Sequence, residues 1–241
     1  MRTFAIGDIH GGLKALKQVL ERAEVTKNDR LIFLGDYVDG WSDSANVIGY
    51  LINLSQDHDC IFIKGNHDDL VAYWLRTRKK YDQWLEHGGR STLNAYEDFT
   101  ETEIKEHLHF LENTKNYYIN EENRLFLHAG FANIHGPAQE YEDYVFYWDR
   151  TLWEMALALD KNLEEDDIFY PKRLKLFKEI FIGHTPTTRI NKESPVNAAN
   201  VWNVDTGAAF KGKLSMINVE SKKVYQSEPV YQLYPDEKGR N

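Results

Sequence analysis

The sequence predicts an α/β fold in which a largely parallel sheet is assembled from βαβ units. Three observations predict it. Short apolar runs alternate with helical patterns through the first third, five such runs break at a glycine accompanied by Asp, Asn or His, and 241 residues can bury a large core without staples. Thr3–Ile6 is a strand that stops at Gly7-Asp8. Leu13, Leu16 and Leu20 recur at helical spacing and open an amphipathic helix. Leu31–Leu34 is a second strand, stopping at Gly35-Asp36, and Ala45–Leu54 is the helix that follows it. Cys60–Ile63 is a third strand, ending at Gly65-Asn66, and Val71–Leu75 opens another helix.

The later chain carries two more such strands. Leu125–Leu127 runs into His128-Ala129-Gly130, and Ile180–Ile182 into Gly183-His184-Thr185. Val201–Val204 and Leu214–Val219, with a turn-forming stretch between them, read as consecutive antiparallel strands. Helical insertions rich in Tyr, Trp and charge are expected near 69–113 and 140–179, and the tail from Tyr234 to Asn241 reads as polar and frayed. The expected organisation is a single domain over residues 1–241, with the sheet open to doubling into two layers.

Composition excludes several classes. Thirty-eight acidic against 29 basic side chains leave a net charge of −9, with no basic excess to coat a nucleic acid. One cysteine, Cys60, rules out an intrachain disulfide framework and fits a reducing compartment. There is no run of about 18 apolar residues and no signal-peptide core at Met1–Ile6, so the expectation is a cytoplasmic protein with no membrane partner. Oligomeric state is not legible.

One position recurs through the chain. Gly7-Asp8-Ile9-His10, Gly35-Asp36-Tyr37-Val38-Asp39, Gly65-Asn66-His67-Asp68, His128-Ala129-Gly130 and Gly183-His184 all follow predicted strands. In open α/β sheets ligands bind at the strands' C-terminal ends. Carboxylate oxygens, an amide oxygen and imidazole nitrogens together suit manganese, iron or zinc better than the all-oxygen shells of calcium or magnesium. A single Gly-Asp is an ordinary turn. Gly-Asn-His-Asp arises by accident in roughly three of a thousand chains of this composition, and here it coincides with four related motifs.

The order and content of these blocks resemble the calcineurin-like metallophosphoesterases, and more narrowly the bacterial and phage members of the phosphoprotein phosphatase family, from Asp8 to about Asp205. The resemblance implies a two-layer β-sandwich flanked by helices, with two divalent metals, manganese first among them, at the strands' C-terminal edge. It implies that Asp8 and His10 hold one metal, Asp36 bridges both, and Asn66, His128 and His184 complete the second. Two cations about 3.5–4 Å apart need a shared carboxylate, and a water between them falls toward a pKa of roughly 7, giving a bridging hydroxide as nucleophile. His67 would then be the general acid, with Asp39 accepting its other N–H; a plain turn residue remains the alternative for Asp39.

The chain departs from the pattern at one place. Phosphoprotein phosphatases usually carry an arginine directly after the second Asp of the Gly-Asp-x-x-Asp block, where it grips phosphate; here Gly40 and then Trp41 follow Asp39. Arg150, in Trp148-Asp149-Arg150, resembles the Trp-x-Arg element of bacterial members and offers a bidentate fork. Arg90, in His87-Gly88-Gly89-Arg90, is a substitute of equal weight with a surface role. His58, His87, His107, His109 and His135 read as surface or packing residues, Asp68 and Asp69 as helix-start carboxylates. The aromatics of Tyr141–Trp153 read as a cap, with a substrate-facing wall as the alternative.

The function these residues imply is metal-dependent phosphoester hydrolysis. A Ser/Thr protein phosphatase comes first and a symmetrical diadenosine tetraphosphatase, or another small-molecule phosphoesterase, second. A metal-stabilised binding module without turnover would not need the complete set of ligands and acid.

Overall fold

The computed structural model describes residues 1–240. Two five-stranded sheets stack face to face. The first has the order β10-β9-β1-β2-β3, from Val224–Pro229, Lys213–Asn218, Thr3–Ile6, Arg30–Phe33 and Asp59–Phe62. The second has the order β4-β5-β6-β8-β7, from Tyr117–Ile119, Arg124–Leu127, Glu179–Ile182, Val201–Asn203 and Val196–Ala198. Each sheet has three parallel strands, β1-β2-β3 and β5-β6-β8, with antiparallel strands beyond them.

Side-chain alternation explains the layers. Ala5, Ile32, Leu34, Phe126, Phe181 and Ile217 belong to the cluster between the sheets. Their neighbours Phe4, Ile6, Leu31 and Phe33 point the other way, into the core shared with α1 (Leu13–Arg22), α2 (Ser44–Leu54) and α3 (Asn66–Thr77). Leu125, Leu127, Ile180 and Ile182 do the same on the second sheet. Strands buried on both faces read as unbroken apolar runs, which is why they were visible in the sequence. Between the layers the Phe126 and Phe181 rings stack at 5.0 Å, and aromatic pairs of this kind add about 0.5–1.5 kcal/mol beyond area burial.

The insertion after β3 holds the rest of α3, then α4 (Asp82–Trp84), a kinked π-helical turn at Leu85–Gly89, α5 (Arg90–Ala95) and α6 (Glu101–Glu112). The second insertion is less helical than expected. Only α7 (Val145–Trp148), α8 (Thr151–Ala158) and a 3₁₀ turn at Lys172–Leu176 form there. Among the described residues no helix is long and apolar enough to cross a membrane.

Two expectations are corrected. Val201–Val204 and Leu214–Val219 do not pair with each other: β8 lies beside β6 in one sheet and β9 beside β1 in the other. The intervening stretch crosses between layers instead of reversing the chain. The tail is not frayed over the described residues. After α9 (Val230–Leu233), Tyr234 is buried and stacks on Trp41 at 5.4 Å, and the Arg240 N–H donates to the Ala209 carbonyl at 2.9 Å. Asn241, the last residue of that predicted tail, lies outside the described residues.

Candidate functional site

Parallel pairing gathers the site. Ile6, Phe33 and Phe62 share one register across β1, β2 and β3, so the loops carrying Asp8, Asp36 and Asn66 leave the sheet side by side. In the other layer β5, β6 and β8 are parallel too and end at His128, His184 and Asp205. The layers touch at this edge. A Cβ on Gly183 would stand 2.1 Å from Asp8 Oδ1, so only glycine permits the approach. The His184 N–H then donates to Asp8 Oδ2 at 3.1 Å.

Two sets of potential ligands share one carboxylate. Asp8, His10 and Asp36 present donor atoms within 4.8 Å of one another, and so do Asp36, His128 and His184. His10 Nε2 lies 3.8 Å from Asp8 Oδ2 and 3.5 Å from Asp36 Oδ2. His128 Nε2 lies 3.5 Å from Asp36 Oδ2 and 3.2 Å from Asn66 Oδ1, and His184 Nδ1 is 3.0 Å from the same amide oxygen. Carbonyls set the tautomers: His10 Nδ1–H donates to the Asp39 carbonyl at 2.8 Å and His128 Nδ1–H to that of Leu34 at 2.7 Å. Both Nε2 atoms therefore face the centre, where a cation would take the place of a proton. His184 Nε2 is buried without a hydrogen-bond partner. His10, Asp36 and His184 hold φ of 50°, 52° and 68°, a left-handed backbone that costs about 1–3 kcal/mol per non-glycine residue.

The electrostatics call for cations. Burial and the neighbouring Asp205 push the Asp8 carboxyl well above its usual range, and burial raises Asp205 to about 6. Burial would also raise Asp36, but the imidazoles around it, His128 foremost, hold it well below. His128 is the converse: burial opposes its charge, yet Asp36 and Asp8 lift it to about 10. Burial lowers His10 to about 3, and burial together with the His128 charge lowers His184. Lone-pair atoms facing one another across 3.2 Å, as in Asn66 Oδ1 and His128 Nε2, need a proton or a cation between them. The donor set, the orphaned Nε2 of His184 and the crowded carboxylates fit a pair of divalent metals.

His67 sits beside this centre on the first turn of α3. Its Nδ1 is 2.7 Å from Asp39 Oδ2, and Asp39 is fully buried. That same oxygen accepts the Trp84 Nε1–H at 2.7 Å, while Oδ1 accepts the Thr92 hydroxyl at 2.6 Å. Asp39 is thus fastened to an imidazole and to the insertion, which a turn residue alone would not be. Asp68 is more than a helix-start carboxylate. It is buried and accepts the N–H groups of Gly65, Asp36 and Tyr37, each at 2.8 Å, which ties two site loops together.

A cavity of about 660 Å³ opens over the centre. His10, Asp36, Asn66, His67 and His184 line its floor, and Arg150, Arg189 and Arg240 its wall. Elsewhere Arg2, Arg22, Arg30, Arg76, Arg78 and Arg124 pair with carboxylates. Among the described residues, Arg150, Arg189 and Arg240 pair with none. Burial, with Arg189 and Arg240 nearby, lowers the Arg150 guanidinium from its usual range. Tyr81, Trp148 and Phe210 supply aromatic lining, Trp148 standing edge-on to His184 at 6.2 Å. Arg90 is corrected: it lies outside this lining, because α5 spends its inward face on Thr92. His87, expected at the surface, is exposed on the cavity rim, and His107 is buried against the Tyr96 hydroxyl at 3.0 Å.

Several site residues escaped the sequence reading. Asp205 had a signal, since it follows a strand and precedes Thr206-Gly207 as the other motifs flank theirs. Trp84, Thr92, Arg189 and Arg240 had none, because they come from segments without a strand-end pattern.

A family model described as calcineurin-like phosphoesterase matches residues 1–209. Over 229 residues the chain is 28% identical to the asymmetrical bis(5'-nucleosyl)-tetraphosphatase PrpE of Anoxybacillus flavithermus, covering 88% of each chain. It is 26% identical to the symmetrical bis(5'-nucleosyl)-tetraphosphatase of Pseudomonas entomophila, over 95% of this chain and 72% of that one. A solved structure of a putative diadenosine tetraphosphatase superposes with a TM-score of 0.64 at 19% identity, covering 93% of this chain and 92% of the other.

Proposed function

The chain belongs to the calcineurin-like phosphoesterase family, and on that premise we propose that it hydrolyses dinucleoside tetraphosphates with two divalent cations. The observation that carries the reading is the cavity wall, where three arginines without carboxylate partners stand among aromatic side chains above the His/Asp cluster. A chain of four phosphates offers each guanidinium an anion, and the bases offer their faces to Tyr81, Trp148 and Phe210. The names of the relatives support the same class. This reverses the order in which the sequence ranked its two substrates, placing the Ser/Thr protein phosphatase second.

In this reading Asp8, His10 and Asp36 would hold one cation, and Asp36, Asn66, His128 and His184 the other. When bound, the pair supplies Lewis acidity toward the phosphoryl oxygens and lowers the pKa of a shared water into the neutral range. The residues do the rest. Arg150 and Arg189 neutralise non-bridging oxygens and hold the polyphosphate against the floor of the cavity. His67 donates a proton from Nε2 to the leaving oxygen, and Asp39 keeps the ring oriented through Nδ1 and stabilises its charge. A cysteine nucleophile plays no part: burial pushes the Cys60 thiol up to about 12.

The test is a parallel assay of manganese-loaded protein on diadenosine tetraphosphate and on phosphoserine and phosphothreonine peptides. The expected result is a higher kcat/KM on the dinucleotide, with product analysis giving the cut: two ADP for symmetrical cleavage, ATP and AMP for asymmetrical. Preferred turnover of the phosphopeptides would restore the other order.

A further inference from the structure

We infer that Arg240, brought over Gly40 by the C-terminal segment, is a phosphate-binding residue that fills in space the arginine missing from position 40. The inference rests on the phosphoester-hydrolase reading and adds to it a residue beyond the 1–209 span that the family model matches.

The segment is built to deliver this side chain. Tyr234 stacks on Trp41, and its hydroxyl donates to Asp43 Oδ2 at 2.7 Å. Glu237 accepts from the backbone N–H of Ser42 at 2.8 Å and from its hydroxyl at 2.6 Å. The Arg240 N–H closes the series on Ala209. Two of these ties pin the segment onto the loop that follows Asp39, and the third fixes Arg240 to the turn at Ala209.

The stem of Arg240 then runs along a lane left by two glycines. A Cβ on Gly40 would lie 3.6 Å from Arg240 Cγ and one on Gly88 only 3.1 Å from it. Both hold φ values that suit glycine, +132° and +107°. An arginine at position 40 would meet that backbone strain, so the guanidinium arrives from elsewhere in the chain. Its carbon lies 5.4 Å from the Phe210 ring centroid, and the side chain lines the cavity with His10, Asp36 and His67.

What marks a ligand is an unmet donor. Arg240 Nε is buried and, among the described residues, has no hydrogen-bond partner. No carboxylate among the described residues pairs with the guanidinium, although the chain carries nine more acids than bases. A buried unpaired donor is costly unless something supplies an acceptor. A phosphate of substrate or product held in this cavity would supply that acceptor, and a guanidinium fork matches two of its oxygens.

The test uses full-length, manganese-loaded protein and the variants R240A, R240M and R240K. R240M keeps the stem in its glycine lane and removes the fork, so it separates binding from packing. Titration with inorganic phosphate is expected to show the dissociation constant weakened about 10- to 100-fold in R240A and R240M, with R240K between them and wild type. Metal content and Tm are expected to stay at wild-type values, while KM for diadenosine tetraphosphate rises. Phosphate affinity in R240M equal to wild type would overturn the inference. If wild-type protein fails to cleave the dinucleotide but its phosphate affinity still depends on Arg240, the substrate reading falls and this one stands.

Discussion

Single atoms decide the chemistry around His67. Its Nδ1 is committed to Asp39, so Nε2 is the ring nitrogen left for a leaving group, and neither candidate ligand set includes the side chain. His67→Gln is therefore expected to lower kcat on diadenosine tetraphosphate by about 10²–10⁴-fold, the range for loss of a positioned acid, with metal content retained. On p-nitrophenyl phosphate, whose phenolate departs without a proton, the loss should be much smaller. Equal losses on both substrates would assign His67 to something other than proton delivery. Arg150 and Arg90 provide a paired comparison. Arg150→Ala removes an unpaired fork from the cavity wall and should raise KM about tenfold or more at unchanged metal content, whereas Arg90→Ala, on the exposed side of α5, should leave steady-state kinetics alone. Both arginines stood in glycine- or tryptophan-containing motifs, and nothing local in the sequence told which one faces inward.

At the scale of elements, what was legible depended on how the signal is written along the chain. Asp8, His10, Asp36, Asn66, His67, His128 and His184 each follow an apolar strand by one to five residues, so strand, glycine and donor form one short readable unit. The supports of these residues do not. Asp39 is held from α4 and α5, some 45 and 53 positions away, by Trp84 and Thr92, and no periodicity links such segments before they fold. The edge strands β4, β7 and β10 were missed for a different reason: they are short or polar and carry no unbroken apolar run, although each pairs with its neighbour in sequence. The insertion is thus a working part of the site. Trp84→Phe deletes the indole donor to Asp39 Oδ2, and Thr92→Val the hydroxyl donor to Oδ1. Each is expected to lower kcat about 10-fold while KM and metal content hold. A variant that changed KM alone would show that these residues shape the cavity and do not position the acid.

Across the whole molecule, the two sheets bring buried like charges to one edge, and this makes stability depend on pH in a direction that the metals should reverse. Without cations, burial raises Asp205 to about 6, burial with the nearby Asp36 raises Asp68 to about 8, and Asp36 and Asp8 lift His128 to about 10 against its burial. Ordinary values are about 3.9 for Asp and 6.5 for His. A group raised on folding stabilises fully below its unfolded value, and that contribution disappears as pH climbs through the folded one. Chelated protein is therefore expected to lose these contributions as pH rises from about 4 to 10, that of Asp205 being gone by about pH 6, that of Asp68 by about 8 and that of His128 by about 10. In the opposite direction, the lowered values of His10 and His184 cost stability as pH falls below about 6.5. Two divalent cations replace the His128 proton and offset the carboxylates, so binding should release protons and grow tighter with pH. At a hundredfold excess over Kd each bound ion adds about 2.7 kcal/mol. The metal-loaded protein should hence melt well above the chelated one, with the gap widest near pH 9. Thermal melts of both forms between pH 5 and 10, with proton release read by titration in buffers of different ionisation enthalpy, check this. A chelated form whose Tm stays level from pH 6 to 9 would mean that the crowded charges at the sheet edge are relieved without cations.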